Sequence, residues 1–327
     1  MRLILGLLIL LLAACEKSPS EPIPTRIELE RPLMGTFFRV VTYSTDRPKT
    51  LKTIGAALDK AEKISQIATD YEADSELNQL CDAPINTPIF ISDTLFDLLQ
   101  KALQIAKITE GSYDPTLGAS TQLWRQARMT QRLPAPPLLE KARATGGYQS
   151  LVLDSDQQTA TLTRPGMRLD LGGIAKGYAA DAIFDHLAAA GLTQTLVAAG
   201  GDLRLGDPPP KKDGWQIALR TFSLSPTGSL PLKNCAISTS GDLHQHIMIG
   251  GKRYAHIIDP QTGLGLTEQK AASVIAPSAS LTDPLATAAC VHPDPKNLLK
   301  LFPDASFRVL SENKTIRPVK NGVFEKK

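Results

Sequence analysis

The sequence predicts an α+β fold, built from mixed, largely antiparallel sheet(s) with packed helices. Two observations carry the prediction. Helical and strand patterns alternate irregularly along the 327 residues, whereas a doubly wound parallel sheet would alternate them strictly. Several strand patterns also come as hairpins, which join antiparallel neighbours directly.

At the N-terminus, Arg2 and the apolar run from Leu3 to Leu12 form a targeting segment. The run is about ten residues long, too short to span a bilayer as a helix. It ends in Leu12-Ala13-Ala14-Cys15. A cysteine directly after these small residues reads as the lipidation site of a bacterial lipoprotein, with residues 1–14 as its signal peptide; the alternative is an ordinary secretory signal. Residues 15–27 are assigned as a polar, Pro-rich tether and residues 28–327 as one domain.

Within that domain, Phe37, Phe38, Val40, Val41 and Tyr43 predict a strand over 36–43. Leu51, Ile54, Ala57, Leu58, Ala61, Ile64 and Ile67 recur at helical spacing and predict a helix over 50–68. Ser92, Asp93 and Thr94 offer capping oxygens to a second helix that runs to Ile108, and Gly111 stops it. The Pro-rich stretch 133–138 predicts a loop. Residues 150–170 predict a hairpin around Asp154-Ser155-Asp156. Its last apolar residues, Met167 and Leu169, lead into Asp170-Leu171-Gly172-Gly173-Ile174-Ala175-Lys176-Gly177-Tyr178. That run reads as a strand delivering a glycine turn to a helix N-terminus, the helix continuing to about Ala190. Strands are expected at 195–198, 215–218, 236–238, 246–249 and 271–275. A last long helix is expected from Thr282 to Val291, and a closing strand pair over 305–318.

The formal net charge of +3 gives no footprint for nucleic acid. With Cys15 lipidated, Cys81, Cys235 and Cys290 remain, an odd number that argues against a disulfide framework. No Cys-x-x-Cys or His-x-x-x-His spacing occurs, which disfavours zinc.

The 170–178 run points to a phosphate-bearing ligand, because the first turn of a helix leaves N–H donors unpaired. Its spacing is neither that of a Walker loop nor Gly-x-Gly-x-x-Gly. Three further polar-glycine clusters lie far apart: Gly111 to Thr116, Gly200-Gly201-Asp202, and Thr239-Ser240-Gly241-Asp242 with His256 to Gly263. Each alone is a turn sequence. Asp283-Pro284 fits an N-cap with proline at the first helical position, and Thr287 follows one turn later on the same face. Two hard oxygens so close suit Mg²⁺ beside phosphates; plain helix capping is the alternative. His256, alone among the five histidines, sits in a glycine/aspartate motif, either as a base toward a hydroxyl or as a structural donor.

Together these clusters resemble the FAD:protein FMN transferase (ApbE-type) family, from Met34-Gly35-Thr36 through the tract around Tyr71 and Asp74-Ser75-Glu76-Leu77, Leu123-Trp124 and the four clusters to Asp283–Ala288. The resemblance implies an ApbE-like fold and Mg²⁺-dependent transfer of FMN from FAD, the substrate, to a Thr or Ser hydroxyl of an acceptor flavoprotein, releasing AMP. It implies metal oxygens from Asp283, Thr287 and the Gly173 backbone. The FAD site would be lined by Met34, Tyr71, Ser112, Tyr113, Asp114, Asp170 and Ile257. Asp283 and His256 would be catalytic. Lys176 would offset phosphate charge, or else be a solvated helix lysine. The acceptor would be a subunit of a membrane redox complex, and the enzyme a lipid-anchored protein of the cell envelope facing the periplasm. The alternatives are an FAD pyrophosphatase and a non-catalytic FAD-binding lipoprotein. Two departures stand out: Ala198 where the family usually carries Asn, and Pro284 where it usually carries Ala.

Overall fold

The computed structural model describes residues 22–219, 222, 228–241, 246–311, 319–320 and 322–324. The signal peptide, Cys15, most of the tether, Asp242, His244 and part of the closing strand pair lie outside the described residues.

The chain opens with β1 (Thr25–Leu33), β2 (Thr36–Ser44), α1 (Arg47–Ala68) and α2 (Glu76–Asp82). Next come β3 (Ile89–Phe90), α3 (Asp93–Ile108), α4 (Gly118–Thr130), α5 (Pro136–Thr145) and the hairpin β4 (Leu151–Asp154) and β5 (Thr159–Leu162). The middle contains α6 (Ala175–Ala189), β6 (Thr195–Ala199), β7 (Asp202–Leu205), β8 (Trp215–Leu219) and β9 (Gly228–Leu232). Then follow β10 (Cys235–Gly241), β11 (His246–Ile249), β12 (Lys252–Ala255), β13 (Lys270–Ala276) and α7 (Ala279–Val291). The end is α8 (Pro295–Leu301), β14 (Ser306–Ser311) and β15 (Val319–Lys320).

Eight strands form the central sheet in the order β1-β2-β6-β7-β10-β13-β14-β15, each pair antiparallel. The smaller sheets β3-β5-β4, β8-β9 and β11-β12 are antiparallel as well. The fold is therefore α+β, as the irregular alternation implies.

The period-two rule of strands sorts side chains between two cores. Val40 of β2 and Ala236 of β10 pack toward α1 and α6. Their neighbours Val41 and Ile237 point the other way, against Trp215, Ile217, Leu230 and Leu232 of the β8-β9 hairpin. A third core joins α2, α3 and α7 to β13 and β14, with Leu95, Leu98, Leu99, Leu285 and Phe307 fully buried.

Helix α6 docks closely against α7. A Cβ at Gly177 would overlap the Ala279 carbonyl, so only glycine permits this approach. The Asp181 carboxylate, one turn further, accepts from the N–H groups of Ala279 and Ser280, at 2.8 Å each. It supplies the cap that Ser278 does not.

That cap overturns one expectation. Asp283 is not an N-cap: α7 starts at Ala279, and Pro284 lies inside it. Asp-Pro reads as a helix start because proline disfavours the α conformation before it. Here a carboxylate from another helix starts α7 a turn earlier, and the helix bears the loss of one backbone bond at Pro284.

Other corrections are local. Thr25 to Ile27 of the expected tether begin β1 and pair with Thr42 to Ser44. Pro136 and Pro137, expected in a loop, are the first residues of α5, where a missing N–H costs nothing. The segment before Asp170 is extended but joins no sheet; it meets the residues before α4 through the lone parallel bridge Leu117↔Arg168. Helix α7 is the last long helix, as expected; only the seven-residue α8 follows it.

Gly177→Ala should lower stability by about 1–3 kcal/mol through overpacking. Gly55→Ala in α1, where a Cβ meets nothing within 4 Å, should instead raise it by up to ~1 kcal/mol. Urea unfolding of the two variants checks both; equal midpoints would refute the close approach.

Candidate active site

A cleft of about 490 Å³ opens where α4, the 170–176 turn, the end of β10, α7 and the segment after β12 converge. Of the residues singled out from sequence, Tyr71, Ser112, Tyr113, Asp114, Asp170, Gly173, Lys176, His256, Ile257, Asp283 and Thr287 all line it. Met34 does not. It sits at the β1-β2 turn with φ +49° and packs its side chain against the core.

The inner end is a buried charge cluster. Asp283 and Asp202 are 5% exposed each, and one lysine serves both. Lys176 Nζ lies 3.1 Å from Asp283 Oδ2, 3.4 Å from Asp202 Oδ2 and 3.1 Å from the Gly172 carbonyl. Lys176 is thus an internal counter-ion and not a solvated helix lysine. Burial alone would lower its pKa, but the two aspartates more than offset this and hold it above its ordinary value. Burial, then the Asp202 charge, pushes Asp283 up to about 7 against the pull of Lys176.

Thr287, one turn beyond Asp283, lies 3.3 Å from the Ser240 hydroxyl of β10. A Cβ at Gly173 would stand 3.2 Å from the Tyr113 ring and 3.9 Å from Thr287 Oγ1, so the glycine lets the 170–176 turn pass close to both. Tyr113 is 4% exposed, and its hydroxyl has no hydrogen-bond partner among the described residues. Burial and the charges of Asp283, Asp170 and Asp114 raise its pKa well above the ordinary value, so it stays neutral.

The helix N-terminus of the 170–178 run is less open to an anion than its glycines suggest. The N–H groups of Ile174 and Ala175 both donate to the Leu171 carbonyl. Asp170 Oδ1 accepts from Gly172 N at 2.8 Å, which shapes the turn, while Oδ2 faces Arg125 at 3.6 Å. Asp114 organises the neighbouring loop: it accepts from the N–H and hydroxyl of Thr116 and from the N–H of Tyr148.

Helix α4 supplies a wall that the sequence reading left out, apart from Trp124. Leu117, at the helix start, then Thr121, Trp124, Arg125 and Arg128 face the cleft at helical spacing. That periodicity was the available signal, but polar residues on a cleft-facing stripe mimic a solvated face. Arg125 forms a two-pronged pair with Asp70, at 2.6 and 3.2 Å, and lies 4.1 Å over the Tyr71 ring. Tyr71 remains 73% exposed at the mouth. Trp124 Nε1 donates to the Ala255 carbonyl at 3.1 Å, which anchors the backbone immediately before His256. Gly265 passes so close to that carbonyl and to the Trp124 ring that a Cβ would overlap them.

Fold and site together define an α+β enzyme whose carboxylate-lined cleft suits a charged ligand held with a cation. The chain belongs to the ApbE family, which it matches over residues 34–305. It is 30% identical over 302 residues to an FAD:protein FMN transferase of Haemophilus influenzae, covering 88% of this chain and 85% of that protein. It is 30% identical over 286 residues to one from Chlamydia pneumoniae, covering 86% and 88%. The solved ApbE protein of Thermotoga maritima matches with a TM-score of 0.82 at 27% identity, over 92% of this chain and 99% of that one. The apo form of the Pseudomonas stutzeri flavinyl transferase ApbE matches at 0.78 and 25%, over 93% and 97%.

Lys176→Met leaves two buried carboxylates without their partner. The folded-state pKa of Asp283 is raised, so its contribution to stability is complete at low pH and is lost as pH rises through about 7. In chelator-treated buffer the variant should lose about 3 kcal/mol near pH 8 and clearly less near pH 5. Thermal unfolding at the two pH values checks this; an equal loss at both would refute the pairing.

Proposed function

We propose that this enzyme transfers FMN from FAD to a threonine or serine hydroxyl of an acceptor protein and releases AMP. The observation that carries the reading is the convergence of Asp283, Thr287, Gly173 and His256 on one cleft. Family membership and the names of the relatives support it.

The donor set fits Mg²⁺. Among the described residues no group of three or more His, Cys, Asp or Glu is arranged to hold a metal. Mg²⁺ needs no such cage, since it takes one or two carboxylates and completes its shell with water and phosphate oxygens. Asp283, the Thr287 hydroxyl and the Gly173 carbonyl would hold it, and the bound cation would neutralise phosphate charge. Two buried carboxylates against one lysine leave an excess negative charge that a cation offsets.

The protein's own part is mostly positioning, as expected for phosphoryl transfer. Tyr71 offers an exposed ring at the mouth for a planar heterocycle, and Arg125 covers one of its faces. Lys176 orients Asp283 through a 3.1 Å contact and favours its ionised form against burial and the Asp202 charge. His256, on the backbone anchored by Trp124, takes the proton of the acceptor hydroxyl as its oxygen bonds to the FMN phosphorus. The bridging P–O bond breaks, and AMP leaves with the oxygen. Lipid attachment at Cys15, with the catalytic domain facing the periplasm and an acceptor in a membrane redox complex, completes the proposal. Among the described residues no helix is long and apolar enough to cross a membrane.

The test is incubation with FAD, Mg²⁺ and a threonine-bearing acceptor peptide. Covalent gain of FMN mass with AMP release is expected. AMP without labelled peptide would mean hydrolysis, and bound FAD without AMP would sink both enzymatic readings. Asp283→Ala should abolish metal-dependent turnover. His256→Ala should cut the transfer rate by about 10²-fold or more while changing FAD affinity little. Equal losses in both would make His256 structural.

A further inference from the structure

Three cations line the cleft, and two are committed within the protein. Lys176 is bound by Asp283 and Asp202. Arg125 is bound by Asp70 and faces Asp170. Arg128 lines the same cleft one turn beyond Trp124, and it forms no ion pair among the described residues. The lining also carries the carboxylates of Asp114, Asp170, Asp202 and Asp283. Such a cleft repels a polyanion unless uncommitted positive charge faces it. A guanidinium with its donors unspent is suited to phosphate oxygens, which it binds through paired N–H groups.

We propose that Arg128 is a specificity-determining residue that binds the phosphate groups of the substrate and so selects the phosphorylated flavin dinucleotide over the uncharged flavin. The proposal rests on the FAD reading above and assigns a task to a residue that reading does not use. The position supports it. Leu117 to Arg128 spans eleven residues of one helix face, roughly 16 Å at 1.5 Å per residue. This is long enough for one wall to serve an extended dinucleotide, with Arg125 and the Tyr71 ring on one row and Arg128 on the other. The charge sits one turn beyond Trp124, the residue that anchors the backbone just before His256.

Equilibrium titration of the mature protein by flavin fluorescence tests this, with FAD and riboflavin as probes. Arg128→Gln should weaken FAD by about tenfold or more and change riboflavin by less than about twofold. Arg128→Lys, which keeps the charge but loses the fork, should fall between. Arg132→Gln, an exposed cation just beyond α4 that does not line the cleft, should bind both probes as the parent does. Added salt should weaken FAD less in Arg128→Gln than in the parent. Unchanged FAD affinity in Arg128→Gln, or an equal loss for FAD and riboflavin, would overturn the assignment. If the parent transfers FMN and Arg128→Gln binds FAD equally well, only this inference falls. If the parent binds no FAD at all, the flavin reading falls with it.

Discussion

The grip of α6 on α7 is the constraint on which the site depends. Within six residues, α6 presents Lys176, Gly177 and Asp181 to its neighbour. Gly177 sets how near the helices come, Asp181 sets where α7 begins, and Lys176 pins the Asp283 side chain. The axial position of α7 is thereby fixed at its first turn, and Asp283 and Thr287 inherit it. Arg204 of β7 stands 3.3 Å from Asp181, so the sheet holds the clamp from behind.

On its other side α7 is tied to the sheet by hydroxyls. Ser238 and Thr282 share a hydrogen bond of 2.7 Å, and Ser240 and Thr287 one of 3.3 Å. Hydroxyls satisfy each other there without adding charge, in a place where net charge is already in excess. A buried carboxylate pair with one lysine is a poor device for stability, because desolvation offsets most of the attraction. Its persistence at the inner end of a cleft fits a site kept for binding.

Much of this was legible in the chain. Helices α1 and α3 were readable because their apolar residues recur at one period and their caps are local; Ser92 caps α3 through its own side chain. The clusters at Ser112–Asp114, at Asp170–Lys176 and after His256 were visible as polar residues among glycines. What failed had non-local causes. The start of α7 is written in Asp181, about a hundred residues upstream, so Asp283 looked like a cap. The commitment of Lys176 to two aspartates required knowing that β7 and α7 meet beside it. The α4 wall was missed because Thr121, Arg125 and Arg128 make a stripe that looks solvated until the cleft in front of it is known. Met34 lies at the β1-β2 turn, outside the cleft, and its side chain is drawn into the core.

The strand order has a consequence in time. Strand β2 pairs with β6 some hundred and fifty residues later, and β10 must pair with both β7 and β13 before α7 has a surface to rest on. The cleft therefore closes only when the last third of the polypeptide has arrived. A chain emerging from its N-terminus can form the α1 hairpin layer early, but it carries no charge cluster until α7 is made. Long-range antiparallel pairing of this kind makes assembly slow relative to a helical bundle. It also means that a prematurely ended chain lacking α7 loses Asp283 and Thr287 together, and with them the inner end of the cleft.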